Sequence, residues 1–378
     1  MINMTGGGIG GGYKKYLLNM LPLLSKHPLV DAILCAAPAS LLIESWFPSL
    51  PKVKFIKCSP FRFLRHTPNR SFGRALKAFG PDVIFMPLER HMSYDNVPSV
   101  IMIQNMEPLA SPVKHTILRE KARCWAQYME AKFAVKRSSK IVAISSFVRD
   151  FLENNWGVPS DKIAQIPFGA ANVLHSKAPE KPSIVPESIR ERFIFTVGAC
   201  ELYRGHEDII KAMKRYKDTN KNSLKLVIAG NVRYEMREHQ NKLHKMAISY
   251  GLGEDIYWTG YLNDAEMAWS YKNCAVCVIP SRIESFSLTA VEAMAYGCIC
   301  ISANNACLQE IFGESALYYT PGDEEHLFDA LCKVLAYDNG SRAELSCRAK
   351  ERAQLFSWDE TADKTVDVLR NVITRSRG

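Results

Sequence analysis

The chain has 378 residues, 47% of them apolar and 23% charged, with a net charge of +9. At ~100–200 residues per domain that length suggests two domains, and the apolar share suffices for real cores, which excludes wholesale disorder. Ordinary glycine and proline contents exclude fibrous classes; the longest apolar run, residues 32–43, is broken by Pro38 and too short to span a bilayer; with no signal-peptide pattern at the start, a soluble, intracellular protein is expected.

Short apolar runs alternate with stretches of helical period, the pattern of a parallel sheet covered by helices. Strands are predicted at residues 32–35, 53–56, 83–86, 99–103 and 140–144, with a short one at 163–166. Only residues 1–5 are available for an earlier strand. The amphipathic stretch 109–140 predicts a long helix. Ser145 and Ser146 cap another toward Asn155, which Gly157 and Pro159 end. Residues 176–187 carry Pro179, Pro182 and Pro186 with little periodicity and read as a linker. A second series of strands is predicted at 193–197, 224–229, 256–259, 276–279 and 299–302. The fold class expected is α/β: a doubly wound domain over 1–170, a linker over 171–190, a second doubly wound domain over 191–356, and a helix over 357–378 free to return to the first domain. The default ligand site is a cleft between the two, at the carboxyl ends of their strands.

Eleven cysteines could mean disulfides, but Cys35, Cys274, Cys277, Cys298 and Cys300 sit inside apolar runs, where a thiol is a small hydrophobe. Cys274 and Cys277 form a C-x-x-C on a predicted strand, where residues three apart face opposite sides and cannot chelate one ion. Residues 52–77 hold Lys52, Lys54, Lys57, Arg62, Arg65, Arg70, Arg74 and Lys77 and no acid, interleaved with Phe55, Phe61, Phe63 and Phe72. That stretch suits an anionic membrane surface or acidic acceptor as well as a plain solvated face. No helix-turn-helix, zinc-finger or RNP signature supports nucleic acid.

Gly6, Gly7, Gly8, Gly10, Gly11 and Gly12 precede a helical pattern of Tyr13, Leu17, Met20 and Leu24. A glycine loop opening a helix offers main-chain N–H groups to an anion. Gly6, Gly8 and Gly11 satisfy G-x-G-x-x-G, but so many glycines fit almost any template. The acid expected about 20 positions on could only be Asp31, which precedes the next strand instead of ending it. A phosphate- or sugar-facing loop at Gly10, Gly11 and Gly12 is expected, with a plain turn or an NAD-dependent oxidoreductase or epimerase site as alternatives.

The sharpest signal is residues 279–297. A buried strand ends at Pro280, Glu284 stands in the following loop, and a helix begins near Leu288 and ends at Gly297. The main-chain donors of Phe286, Ser287, Leu288 and Thr289 point out of the helix start toward an anion. Glu284 and Glu292 flank that position, as carboxylates that accept from sugar and ribose hydroxyls would.

Glu284 and Glu292 form an E-x7-E motif, and the run resembles the family-four retaining glycosyltransferases of the GT-B fold, of the bacterial cell-surface polysaccharide type. The segments 198–213, 226–230, 259–262, 302–311 and 317–321 continue the resemblance, as do 142–146, 166–169 and the N-terminal glycines. Three places depart from the family pattern. Ala199 and Cys200 follow Gly198 where an arginine is common, which leaves Arg204 more of the diphosphate. Glu284-Ser285-Phe286-Ser287 replaces E-G-F-G. Gln104 or Asn105 stands where a sugar-facing histidine is common. The resemblance implies a hexosyltransferase with a nucleotide-sugar donor bound by the second domain and a glycan or lipid-linked acceptor bound by the first. It implies Glu284 on the sugar, Glu292 on the ribose, and Arg204, Gly198 and the amides of Ser285 to Thr289 on the diphosphate. No cofactor or metal is expected, nor nucleic acid; the expected place is the cytoplasm, with the inner membrane face as an option. A sugar-nucleotide-binding protein without activity is a further alternative.

Overall fold

The second half of the chain is built on strands such as Phe-Ile-Phe-Thr-Val, apolar at nearly every position because a central parallel strand is covered on both faces. The structure, a computed structural model, describes residues 11–59, 67–111, 117–170, 178–187, 189, 193–221 and 223–377. The chain divides into two compact units. One comprises Met1–Leu109, Lys121–Gly169 and Ser357–Gly378; the other comprises Ala110–Glu120 and Ala170–Phe356.

In the first unit, α1 (Gly11–Lys26) precedes a parallel pair of strands, β1 (Ile33–Pro38) and β2 (Val53–Cys58). After α2 (Arg70–Phe79), a four-stranded parallel sheet runs in sequence order through β3 (Ile84–Met86), β4 (Ser99–Ile103), β5 (Lys140–Ala143) and β6 (Ile163–Gln165). The expected long helix is two, α3 (Glu107–Ala110) and α4 (Leu118–Arg137). Next, α5 (Ser146–Trp156) starts where the Ser145 hydroxyl accepts from the Val148 N–H at 3.2 Å and stops where Gly157 turns left-handed at φ 64°. Residues 1–5, considered for a strand, lie outside the described residues.

The second unit has one six-stranded sheet, all parallel: β7 (Phe193–Val197), β8 (Lys225–Ala229), β9 (Ile256–Gly260), β10 (Val276–Ile279), β11 (Cys300–Ala303) and β12 (Ala316–Tyr319). Their spatial order is β12-β11-β10-β7-β8-β9. The chain therefore winds outward from β7, returns to β10 and winds the other way, so the order reverses between β7 and β10. The crevice beyond the carboxyl ends of those two strands is where such sheets bind ligands. Helices α6 (His206–Asn220), α7 (Arg237–Ser249), α8 (Asp264–Asn273), α9 (Leu288–Ala295), α10 (Ala306–Phe312), α11 (Glu324–Leu335) and α12 (Asn339–Ala353) follow the strands. Residues 178–187, read as linker, belong to this unit: the Glu180 N–H donates to Ala265 O at 3.1 Å and Val185 is buried.

The last helix, α13 (Trp358–Arg377), belongs to the first unit and packs on α1. Trp358 stacks on Phe168 with centroids 5.5 Å apart and meets Tyr16 edge-on at 6.1 Å. Gly169 allows this approach, since a Cβ there would fall 2.2 Å from the Trp358 nitrogen. No helix among the described residues is long and apolar enough to cross a membrane.

Candidate donor site at the sheet reversal

Two loops meet where the strand order reverses. After β7 comes Gly198, and a short 3-10 turn, Leu202–Arg204, delivers Arg204. After β10 comes Ser281 and then Glu284. Arg204 Nη1 donates to Ser281 Oγ at 3.0 Å and to the Glu284 carboxylate, with the two side chains 19% and 9% exposed. The Arg204 Nε is buried and has no partner among the described residues. Burial works against the guanidinium charge, but Glu284 and lesser neighbours outweigh it and hold Arg204 more firmly protonated than an ordinary arginine. Gly198 stays side-chain-free for a packing reason: a Cβ there would come within 3.1 Å of Arg204.

Neighbouring groups fix both loops. The Arg282 N–H donates to Tyr203 O at 2.8 Å, and Arg282 Nη2 reaches Asp208 Oδ1 at 2.9 Å and Glu207 Oε1 at 3.0 Å. Asp208 is buried, and its Oδ2 accepts from Tyr319 O–H at 3.1 Å and from the Gly322 N–H at 3.0 Å. Asn305 Nδ2 donates to Ser281 O at 2.8 Å. Gly205 lies in the left-handed region at φ 66°, and a Cβ there would meet Pro280 O at 2.4 Å. The Arg282–Asp208 tie went unread in the sequence because the partners are separated by more than a whole strand–helix repeat.

Helix α9 begins at Leu288 as predicted, behind a Ser287 that is left-handed at φ 72°. Its usual family counterpart is glycine, and a non-glycine residue there costs ~1–2 kcal/mol. The first-turn amides of Leu288 and Thr289 have no intrahelical acceptor by construction. Ser287 Oγ and Thr289 Oγ1 lie 3.2 Å apart. Phe286 is buried edge-on against Phe356, centroids 5.5 Å apart, so only its main chain can face a ligand. Glu292 is 7% exposed, and its Oε2 accepts from Tyr271 O–H at 3.3 Å. Tyr271 is wedged between Phe195 and Tyr296 at centroid distances of 5.3 and 5.4 Å. Burial, with Glu292 beside it, raises the Tyr271 pKa well above normal, which keeps it a donor.

Two family models match, one for each part of the chain: "Glycosyl transferases group 1" over residues 179–353 and "Glycosyltransferase Family 4" over residues 10–170. The chain belongs to glycosyltransferase family four. The MMP alpha-(1->4)-mannosyltransferase of Mycolicibacterium hassiacum is 25% identical over 71% of this chain and 66% of its own length. The serotype-specific mannosyltransferase WbdA of Escherichia coli is 26% identical over 66% of this chain but only 31% of its own length. The chain thus spans about a third to two thirds of these relatives. Sucrose-phosphate synthase from Thermosynechococcus elongatus superposes with a TM-score of 0.75 at 18% identity, covering 99% of this chain and 98% of that one. The Anabaena protein HepE, in complex with UDP-glucose, gives 0.72 at 18% identity with 98% of each chain covered. These structures establish the GT-B fold, two Rossmann-like α/β domains.

In the first unit of this glycosyltransferase, Gly11 and Gly12 open α1, while Gly10 lies outside the described residues. Gln104 and Asn105 follow β4, but their side chains serve local structure. Gln104 Nε2 donates to Pro87 O at 2.8 Å, and Asn105 Oδ1 accepts from the Glu107 N–H at 3.0 Å. One or the other was expected to contact sugar; Gln104 reaches across to the loop after β3, and Asn105 bonds within the loop after β4. Asp31 is exposed ahead of β1, away from the strand end where a dinucleotide ribose would need it.

All eleven cysteines are free thiols. Cys277 and Cys300 are neighbours across β10 and β11, and Cys274 Sγ lies 4.0 Å from Cys298 Sγ. Among the described residues no three His, Cys, Asp or Glu side chains converge as a metal site. The basic stretch is less bare than its sequence. Lys52 Nζ donates to Val30 O at 2.6 Å, Lys57 pairs with Glu44 at 3.7 Å, Phe55 stacks on Phe47, and Phe72 is core. The amphipathic α2 turns Phe72 inward, so it is not available to an anionic surface. Phe61, Arg62, Phe63 and Arg65 lie outside the described residues, and Lys54, Arg70, Arg74 and Lys77 are exposed.

Proposed function

We propose that the protein transfers a hexose from a UDP- or GDP-linked sugar to a hydroxyl of a glycan or lipid-linked acceptor, retaining the anomeric configuration, in cell-surface polysaccharide synthesis such as lipopolysaccharide, O-antigen or capsule. The observation that carries this reading is the meeting of Arg204 and Glu284 at the strand reversal, with the buried Arg204 Nε unpartnered. A buried donor without a partner calls for an acceptor, and a diphosphate supplies one with charge. The relatives named as mannosyltransferases, one of them the O-antigen chain mannosyltransferase RfbU of Salmonella typhimurium, support the substrate class.

In this mechanism Glu292 accepts from ribose hydroxyls, held by Tyr271. Arg204 and the main-chain donors of Ser285, Phe286, Ser287, Leu288 and Thr289, with Gly198 allowing close approach, take the diphosphate. Glu284 accepts from sugar hydroxyls and orients the anomeric carbon. The bond from that carbon to the diphosphate oxygen breaks with its electron pair going to that oxygen, a bond to the acceptor oxygen forms, and the acceptor hydroxyl's proton passes to the departing diphosphate. Fixed positive charge on the departing diphosphate is the main catalytic contribution. Arg204 supplies it without a metal or cofactor, so activity should survive excess chelator. The glycine loop at Gly10, Gly11 and Gly12 and the first unit serve the acceptor. The proposed setting is the cytoplasmic side of the membrane, with Lys54, Arg70, Arg74 and Lys77 as the contact.

A thermal-shift screen over UDP, GDP, ADP and their sugars tests the reading, since a ligand at a hundred times its Kd stabilises the native state by about 2.7 kcal/mol. One nucleotide series should raise the melting temperature; no shift from any would overturn the donor site.

A further inference from the structure

Two of the eleven thiols meet at the residue that holds Glu292. Cys274 follows the last residue of α8, and Cys298 stands between α9 and β11. Their sulfurs lie 4.0 Å apart. Both are within hydrogen-bond reach of one main-chain oxygen, Tyr271 O, at 3.1 Å from Cys298 Sγ and 3.5 Å from Cys274 Sγ. Tyr271 lies in the last turn of α8, where carbonyls have no intrahelical donor, so the thiols take that place.

The backbone suits a bridge. In the parallel pair β10 and β11, Cys277 is opposite Cys300, and the Cys277 N–H donates to Ile299 O at 2.9 Å. Carried back two residues, that register sets Cys298 opposite Ala275, one step from Cys274. Parallel strands lie ~4.8 Å apart and rise ~3.3 Å per residue, which puts the two Cα atoms about 6 Å apart. Bridged pairs span ~4.4–6.8 Å. Access differs between the partners: Cys274 is half-buried, whereas Cys298 is 5% exposed and burial pushes its thiol up. Cys277 and Cys300 are fully buried, which keeps an oxidant from that neighbouring pair.

We propose that Cys274 and Cys298 are a modification site, which hydrogen peroxide converts to a disulfide that disturbs Glu292 and weakens nucleotide binding. Peroxide oxidises the outer thiol, Cys274, to its sulfenic acid with release of one water. The Cys298 sulfur then attacks the Cys274 sulfur, and the hydroxyl leaves with the Cys298 proton as a second water. The two thiols lose two electrons and two protons in all, and one peroxide becomes two waters. Closing 4.0 Å to about 2.0 Å draws the end of α8 toward the end of α9 and removes both S–H donors from Tyr271 O. The Cys298 N–H donates to Ala293 O at 2.9 Å, one residue beyond Glu292, and the Tyr271 hydroxyl meets Glu292 at 3.3 Å. Tyr271 is thus a positioning residue that acts through Glu292. The effect on the nucleotide rests on the reading of Glu292 as the ribose contact; the bridge itself does not.

The test treats the reduced full chain with hydrogen peroxide, maps its peptides by mass spectrometry without reduction, and titrates UDP and GDP by calorimetry. A peptide bridged between Cys274 and Cys298 should appear, and dithiothreitol should remove it. The oxidised protein should bind nucleotide about tenfold more weakly, the worth of one hydrogen bond to a charged group, and reduction should restore it. Cys274→Ser should bind as the reduced native protein does and ignore peroxide. Should Cys274→Ser melt early, Cys298→Ala carries the same test. No bridge, a bridge between other cysteines in its place, or undiminished affinity in the bridged protein overturns the proposal. So does a peroxide effect that survives in Cys274→Ser. Failure of the reduced protein to bind either nucleotide would sink the donor reading and leave the mapped bridge standing.

Discussion

Arg204→Ala is the most informative single substitution. In the native protein the guanidinium is 19% exposed, spends Nη1 on Ser281 and Glu284, and leaves Nε unpartnered. If that side chain meets the donor diphosphate, its removal deletes at least one charge-assisted hydrogen bond of ~1.5–3 kcal/mol. At ~1.4 kcal/mol per factor of ten, affinity for UDP or GDP should fall roughly ten- to a hundredfold. The nucleoside carries no phosphate and should bind the variant as it binds the native protein, within about twofold. Titration calorimetry with nucleoside, monophosphate and diphosphate reads the series directly. Equal losses for nucleoside and diphosphate would refute the reasoning and make Arg204 a purely structural tie for the loop after β10.

The other expectations follow the same geometry. Glu292→Ala should weaken nucleotide binding by roughly ten- to a hundredfold, whereas Glu284→Ala should cut turnover far more than nucleotide affinity; a fully active Glu284→Ala would remove it from the chemistry. Gly205→Ala puts a Cβ at φ 66° and 2.4 Å from Pro280 O, and a loss of ~2 kcal/mol or more would lower the melting temperature by several degrees; an unchanged melting curve would contradict it. His206 is buried, and desolvation, then Arg204 and His239, push its pKa down to about 3. The unfolded chain therefore binds a proton that the native state refuses, so this residue's contribution is intact above pH ~6.5 and is lost as pH falls, by up to ~1.4 kcal/mol per pH unit. Burial depresses His239 and His244 too, with the same sign. Urea titrations from pH 7 to 5 should show a shallower loss for His206→Gln, and parallel curves would refute the assignment. Binding to phosphatidylglycerol vesicles should exceed binding to neutral ones, fall with salt and weaken when Lys54, Arg70, Arg74 and Lys77 become Ser; equal partitioning would return that face to plain solvation.

The second unit was largely legible in the sequence because its signals are local. Continuous apolar runs such as residues 193–197 became central parallel strands, and α9 begins at Leu288 as its pattern requires. The strand β12 escaped because it is a four-residue edge strand, half exposed at three positions. Glu284 and Arg204 could be singled out by motif, but not that they meet, since 80 residues separate them. The first unit was harder. Side-chain type suggested Gln104 or Asn105 but not the bond of Gln104 to Pro87 O, 17 residues away, nor the bonds of Glu89 to the main-chain N–H groups of both, which leave no trace in residue type.

The central claim is that Arg204 and Glu284 hold a sugar nucleotide for transfer with retention. Proton NMR of the sugar released from α-linked UDP-glucose and GDP-mannose, recorded before mutarotation, tests it most directly. The account predicts that one donor is turned over, that the sugar first appears as the α anomer, and that Glu284→Ala abolishes its release. A β anomer, or release undiminished in Glu284→Ala, would contradict it.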